Sequence, residues 1–294
     1  MFGAAMLVAA ALTIPAVQGR QPRAPQTDQT VTVARGARLT VENFAGEVVV
    51  RAWDRDSLRV QARHSPSVKV EVRTTPAGVV VRADHQARGS VDYEISIPAW
   101  MPVRVGGTYN FITVEGSQSE VSAETTRGDV VIKGGTGTVT AKSIMGEVIV
   151  EGARGRVTAN SVNQGIRITG ASGDITAETT NGSISLSQIT AQNVDVNTIN
   201  GDIAFAGPAA DRGRYRFTTH NGDITVAIPE ASNVTFTVRN YQGSFSSTFK
   251  LNGPPRSEVR QGKRTVYTLG SGSAEMELET FGGSIRVGPV VKKD

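Results

Sequence analysis

The sequence predicts an all-β protein: a single-domain parallel β-solenoid (a β-helix) with about 18–21 residues per coil and irregular N-terminal capping strands. Three observations lead there. Short runs rich in Val, Ile and Thr are separated by many of the chain's 32 glycines, a composition that suits pleated strands and tight turns. A step of the form GEV or GDI recurs at near-fixed spacing. Apolar residues alternate with period two on both sides of that step.

The first residue of each step serves as a reference: Gly46, Asn110, Gly128, Gly146, Gln164, Gly182, Gly201, Gly222, Gly243 and Gly283. From 110 to 182 the spacing is 18 four times running, then 19, 21 and 21, and the last step is 40. Seven and five residues before the reference stand pairs such as Val121/Ala123, Val139/Ala141 and Val157/Ala159. Two and four residues after it stand Val130/Ile132, Val148/Val150 and Ile166/Ile168. Inward residues thus fall on odd offsets before the reference and even offsets after it. A straight strand would turn its apolar set to solvent there, so the chain must bend. Glycine suits a bend that needs positive φ, and Asn is the next most tolerant residue. Glycines at 116, 134, 152, 170 and 207 mark the other corner.

Along the chain, residues 1–19 read as a secretory signal peptide with an apolar stretch, Ala4–Ala11, too short to span a bilayer. An uncleaved N-terminal anchor is the alternative. Residues 20–30, RQPRAPQTDQT, read as a flexible leader. The domain follows over 31–294, with strands and a cap at 31–100, regular coils at 101–250, and a hairpin excursion plus final coil at 251–294. Within the first part, 58–98 keeps strand alternation but loses the period, whereas LTVENFAGEVVV at 39–50 matches the repeat. Pro254 and Pro255 interrupt regular pairing in the excursion.

Little in the chain suggests chemistry. Without cysteine there is no disulfide, thiolate ligand, thiol nucleophile or lipidated N-terminal Cys. The net charge of +4 comes from interspersed acids and bases, unlike the concentrated basic face of a nucleic-acid binder. His64, His85 and His220 form no ligand pair at usable spacing. Asp129, Glu147, Asp202 and Asp223 follow the bend and form an outer file, weighed as carboxylates for glycoside cleavage and read more simply as turn residues. Three residues before the reference runs a polar column: Thr125, Ser143, Ser161, Thr179, Thr198, Thr219, Asn240 and Thr280. One group repeated is a ladder under a corner, whereas a catalytic site needs different groups converging. Arg256, Arg260, Lys263 and Arg264 make a basic finger for an acidic polymer or, more plainly, a solvated hairpin. His220, Tyr241 and Phe281 lie near one corner as an aromatic strip for a sugar or protein, or as packing between coils.

The segments GEVVVRAWDRDSLRVQA at 46–62, IPAWMPVRVGGTYNFITVEG at 97–116, and the serial GDVVIKG, GEVIVEG and GDIAFAG resemble the bacterial adhesin-like family called domain of unknown function 4097. The resemblance spans roughly residues 30–290 and departs from the pattern at Asn110, Gln164 and the 246–275 excursion. It implies a β-strand-repeat solenoid on the exported side of a bacterial envelope, a non-enzymatic role, and no catalytic residues to carry over. Some relatives are associated with envelope-stress responses.

The expectation is an exported, non-enzymatic adhesin or envelope scaffold, periplasmic or displayed outside. The alternative is a carbohydrate-active β-helix enzyme, a polysaccharide lyase or hydrolase using the acid file. No catalytic, cofactor-binding or metal-ligating residue is assigned. Expected partners are an envelope protein, glycan or lipid, with no nucleic acid, no transmembrane helix after signal cleavage, and a possible end-to-end self-association.

Overall fold

In the computed structural model, which describes residues 26–84, 89–254 and 261–290, the chain is a β-solenoid of two long parallel sheets. Each coil contributes one strand to each sheet, and the strands are numbered along the chain. The strand before the bend comes from β8 (Val121–Arg127), β10 (Thr136–Ser143), β12 (Arg154–Asn160), β14 (Ile175–Asn181), β16 (Asn193–Asn200) and β18 (Arg214–Asn221). The strand after it comes from β9 (Val130–Gly134), β11 (Val148–Glu151), β13 (Ile166–Thr169), β15 (Ile184–Ser187), β17 (Ile203–Ala206) and β19 (Ile224–Ile228).

The columns read from the sequence stack in register. Val130, Val148, Ile166, Ile184, Ile203 and Ile224 are successive Cα partners, and all are buried. Val121, Val139, Val157, Ile175, Val194 and Tyr215 do the same in the other sheet. Parity behaves as the bend requires. β2 (Arg38–Trp53) and β7 (Val103–Ser117) run unbroken through the bend, yet their buried face changes there, from Leu39 and Val41 to Val48 and Val50. Where the period lengthens to 21, the core gains volume instead of Val and Ile: Phe205 packs on Tyr215 and Phe217 at ring-centroid distances of 5.7 and 5.3 Å. The Tyr215 hydroxyl is satisfied, donating to the Ala191 carbonyl at 2.7 Å and accepting from the Ala210 amide at 2.8 Å.

The order of coils in space departs from the order in sequence at both ends. β2 pairs in parallel with β7 on one side and with β5 (Gly78–Ala83) and β6 (Asp92–Pro98) on the other. The first repeat is therefore the second level of the stack, and residues 78–98 form the level outside it. At the far end β23 (Ala274–Thr280) pairs in parallel with both β18 and β20 (Val234–Asn240), and β24 (Ile285–Pro289) with both β19 and β21 (Phe245–Ser247). The last repeat is thus wedged between the two before it. Named by reference position, the levels run 91, 46, 110, 128, 146, 164, 182, 201, 222, 283, 243, a rod of about 48 Å at strand spacing.

Antiparallel strands flank both end levels. β4 (Val70–Thr75) covers β5, β3 (Ser57–Arg63) covers β6, and β22 (Thr265–Leu269) covers β20. Of the segment expected to cap the N-terminal side, 57–75 does so and 78–98 is a level of the stack. The leader expected over 20–30 also changes. Thr27–Thr32 is strand β1, paired with β3 and pinned where Arg59 makes a two-pronged ion pair with Asp28 at 2.8 and 2.6 Å. On one outer face a ladder of charge crosses four levels: Glu94, Arg51, Glu115 and Lys133 pair in turn at 2.8, 3.2 and 3.1 Å. Its members are exposed, so each pair contributes at most about 1 kcal/mol.

The second corner is made six residues after the reference, by positive-φ glycines at 116, 134, 152 and 170. Gly207 at that position shows no positive φ. A Cβ there would lie 2.6 Å from the Ile189 carbonyl oxygen, so close approach explains it. In the coil of Gly182 the same position holds Gln188, at φ 55°. A non-glycine residue there carries roughly 1 kcal/mol of backbone strain. Gln188→Gly is expected to raise stability by roughly 0.5–1 kcal/mol, read as a shifted denaturation midpoint at unchanged slope.

Candidate functional site

The bend edge is where polar and aromatic side chains gather, and its construction starts from one carbonyl per level. At level 201 a Cβ on the glycine would lie 2.1 Å from the Gly182 carbonyl oxygen of the preceding level. Thr198, three residues earlier on the same level, donates its hydroxyl to that same oxygen at 3.0 Å. The pairing recurs: Ser143 donates to Gly128, Thr179 to Gln164, Thr219 to Gly201 and Thr280 to Gly222. In each case the next reference glycine has no room for a Cβ against that carbonyl. Asn240 extends the device to the end level, donating to Gly283 at 2.8 Å. At these six levels the polar column and the reference glycine are one device, in which a hydroxyl or amide satisfies a carbonyl that the bare Cα lets come close. Thr125 instead donates to the Arg127 carbonyl at 3.1 Å, and Ser161 donates to Gly146 at 3.2 Å beside Gln164, which carries a Cβ.

This corrects the reason expected for the glycines. Only Gly46 and Gly128 among the reference residues have positive φ, and Asn110 and Gln164 do not. The requirement elsewhere is close approach. Asn110 shows the same rule inverted, because its own column position is Gly107. The Asn110 side chain fills that place, donating to the Asn43 carbonyl at 2.8 Å while Asn43 donates back to its Oδ1 at 2.8 Å.

The acid file also has a backbone task. Asp129 Oδ1 accepts the Glu147 amide, Asp202 Oδ1 the Asp223 amide, and Asp223 Oδ1 the Ser284 amide, each at 2.8 Å. The contact reaches the neighbouring level, not the acid's own turn as the sequence suggested. The Ser284 amide and the Arg286 guanidinium, 2.7 Å away, hold the Asp223 carboxyl below its ordinary value of 3.8. Glycoside cleavage needs two carboxyl groups, one of them pushed upward to donate a proton, and a lowered Asp223 cannot be that acid. A depressed folded-state value adds stability above the ordinary one, and that stability is lost as pH falls through the folded value. Asp223→Asn is therefore expected to remove part of the steepening in thermal stability seen below about pH 4, while leaving the neutral-pH slope alone.

Two columns that sequence reasoning did not tabulate stand beside these. One residue before the reference, Asn163, Asn181, Asn200 and Asn221 form an exposed amide ladder, the last three each donating to the preceding Oδ1 at 3.3, 2.9 and 2.8 Å and Asn163 donating to the Ile144 carbonyl at 3.3 Å. The Asn-Gly pair recurring at 181, 200 and 221 was its signal. Most of the exposed large apolar side chains also sit within two residues of a reference position: Phe44, Tyr109, Phe111, Ile144, Met145, Val162, Ile199 and Phe281.

The aromatic strip is present, and its rings pack on each other between levels. His220 stacks on Phe281 at 4.8 Å and 6°, and Phe281 meets Tyr241 at 5.3 Å. Arg239 covers the Tyr241 ring at 5.0 Å. These faces are consumed, so the strip offers ring edges instead of a stacking platform. At the opposite end Phe44 meets Tyr109 edge to face at 5.4 Å, with Arg127 over the Tyr109 ring at 5.5 Å. Phe111, two residues after Tyr109 in β7, is 59% exposed.

His64 bonds Thr27 through Nε2 at 2.9 Å, far from His220 in sequence and fold. His85 lies outside the described residues, as do Arg256 and Arg260 of the basic finger. Of the other finger residues, Arg264 pairs with Glu277 at 3.7 Å. Among the described residues no cluster of His, Asp and Glu could hold a metal ion, and no helix is long and apolar enough to cross a membrane.

The family model described as Toastrack DUF4097 matches residues 37–288. No curated protein matches the chain. Among solved structures, one described as a "putative cell adhesion protein" from Clostridium sporogenes aligns over 90% of this chain and 99% of its own, at 9% identity and a TM-score of 0.28. Similarity at that level carries no argument for this chain.

Proposed function

The chain belongs to the Toastrack DUF4097 family, and from that premise we propose that it is an exported, adhesin-like binding protein of the cell envelope without catalytic activity. The observation that carries the reading is the bend edge, where exposed amides and apolar side chains repeat from level to level along the rod. A repeated row suits an extended contact. Catalysis needs unlike groups around one point, and of the candidate acids Asp129, Asp202 and Asp223 accept backbone amides while Glu147 pairs with Arg167 at 3.1 Å. Export rests on the apolar N-terminal segment, which lies outside the described residues. Growth end to end is the weaker assembly reading, because antiparallel strands flank the end levels and break the parallel register that another coil would extend.

Immobilised protein should retain an envelope component from fractionated cells, and less of it after the double change Ile199→Ser and Val162→Ser. Recovery of nothing from any envelope fraction, or residence of the chain in the cytoplasm, contradicts the reading.

A further inference from the structure

We propose that Asn221 is a site of hydrolytic modification: attack by the Gly222 backbone nitrogen, followed by water, converts its side-chain amide to a carboxylate, ahead of the Asn-Gly pairs on the two preceding levels. The inference concerns the chemistry of the bend edge and does not depend on what that edge binds.

The sequence supplies the reacting groups three times. Asn181-Gly182, Asn200-Gly201 and Asn221-Gly222 stand at one offset on successive levels, and all three Asn side chains are exposed. Asparagine is among the thermolabile residues. A glycine after it leaves the next backbone nitrogen without a side chain to shield it. That nitrogen bonds to the Asn Cγ, the Cγ–Nδ2 bond breaks, and the displaced amide departs as ammonia with the proton that the nitrogen gave up. Water then opens the cyclic imide. Attack at the former side-chain carbonyl gives aspartate, and attack at the main-chain carbonyl gives its isomer, in which the chain runs through the former side chain. One water enters, one ammonia leaves, and nothing is oxidised or reduced.

Local sequence treats the three pairs alike, and the fold separates them. Gly182 N donates to the Asn200 carbonyl and Gly201 N to the Asn221 carbonyl, each at 2.9 Å, so attack there first breaks a bond between levels. By the same offset Gly222 N would donate to the Gly282 carbonyl. That bond is not made, and among the described residues Gly222 N donates to no acceptor. The side chains differ in the same direction. Asn181 and Asn200 are held on both sides, each donating to the Asn before it and accepting from the Asn after it. Asn221 donates to Asn200 at 2.8 Å, but the next level carries Gly282 in that column, with no side-chain amide to donate back. The third pair thus combines a free nucleophile with an amide held on one side. Its conversion replaces the Nδ2 donor with a carboxylate oxygen facing Asn200 Oδ1, so the ladder loses its last rung and the edge gains a negative charge two residues from Asp223.

The test incubates the folded full chain in mildly alkaline buffer and follows each Asn-Gly pair by peptide mass spectrometry. Asn221 is expected to convert roughly fivefold or more faster than Asn181 or Asn200, the ratio implied by one more hydrogen bond to break in the slower pairs. In concentrated urea, where only the local sequence remains, the three rates should converge. Asn252-Gly253 lies outside the ladder, and peptide mapping reads it separately. Equal rates in the folded chain, or a rate at Asn221 below that of either other pair, overturn the proposal. So does the same ratio in urea, because neighbours in sequence and not the fold would then set it. Either outcome leaves the proposed function standing, since no partner enters the test.

Discussion

Gly201→Ala is expected to destabilise the rod by about 3 kcal/mol or more, a fall of roughly 6–12 °C in thermal midpoint. The new methyl would stand 2.1 Å from the Gly182 carbonyl oxygen, which also accepts the Thr198 hydroxyl. Neither contact can be given up locally. Moving the carbonyl breaks the hydroxyl bond, and moving the strand shifts a parallel ladder anchored by Ile184, Ile203 and Ile224. Gly152→Ala is the informative contrast. Its φ of +66° is unfavourable for alanine, but nothing lies within 4 Å of the added Cβ. Its cost should be nearer 1 kcal/mol. Gly201 itself has no positive φ, so a loss at Gly201 no larger than that at Gly152 would show that close approach does not select glycine at the bend. Paired thermal unfolding curves decide it.

Ending the chain after Leu269 is expected to have a larger effect still. In a simple stack this removes a dispensable final coil. Here it removes level 283 from between levels 222 and 243, and with it buried Ala274, Met276, Leu278, Ile285 and Val287. β20 and β21 lose the parallel partners they have among the described residues, and β18 and β19 become open edges. Hydrogen exchange should show β20 and β22 unprotected and β18 weakened, while β10 to β14 remain slow. Full protection of β20 would mean that it can dock directly on β18 and that the wedged level is optional.

The core was legible in the sequence because a coil's inward residues depend only on local parity. Val130 and Val148 lie at the same offset from a bend, so stacking follows once the period is known. Order along the rod was not legible at the ends. MELETFGGSIRV fits the repeat as well as any inner segment, and its pattern records membership in the stack, not its neighbours. The wedge depends on an edge that β18 leaves open until distant residues arrive. The polar column was legible by offset, and stacked hydroxyls can reach either one another or the turn backbone of a neighbouring coil; the choice of the single carbonyl that the next reference glycine also approaches is a property of the space between two levels. Gly107 and Asn110 exchanged roles for the same reason: the rule constrains the space between two levels, and either position can fill it. The amide ladder and the exposed apolar column escaped because they sit between the tabulated offsets, on the outside of the bend.

Neighbour order is the claim on which the architecture depends, and disulfide trapping reads it directly. Arg216 and Glu277 are outward-facing Cα partners on adjacent strands, and the chain has no cysteine of its own. Arg216→Cys with Glu277→Cys should crosslink on mild oxidation, at a separation disulfide geometry allows. Arg216→Cys with Thr237→Cys, two levels and about 10 Å apart, should stay reduced. Crosslinking of the second pair and not the first would place the coils in plain sequence order and contradict the wedged stack.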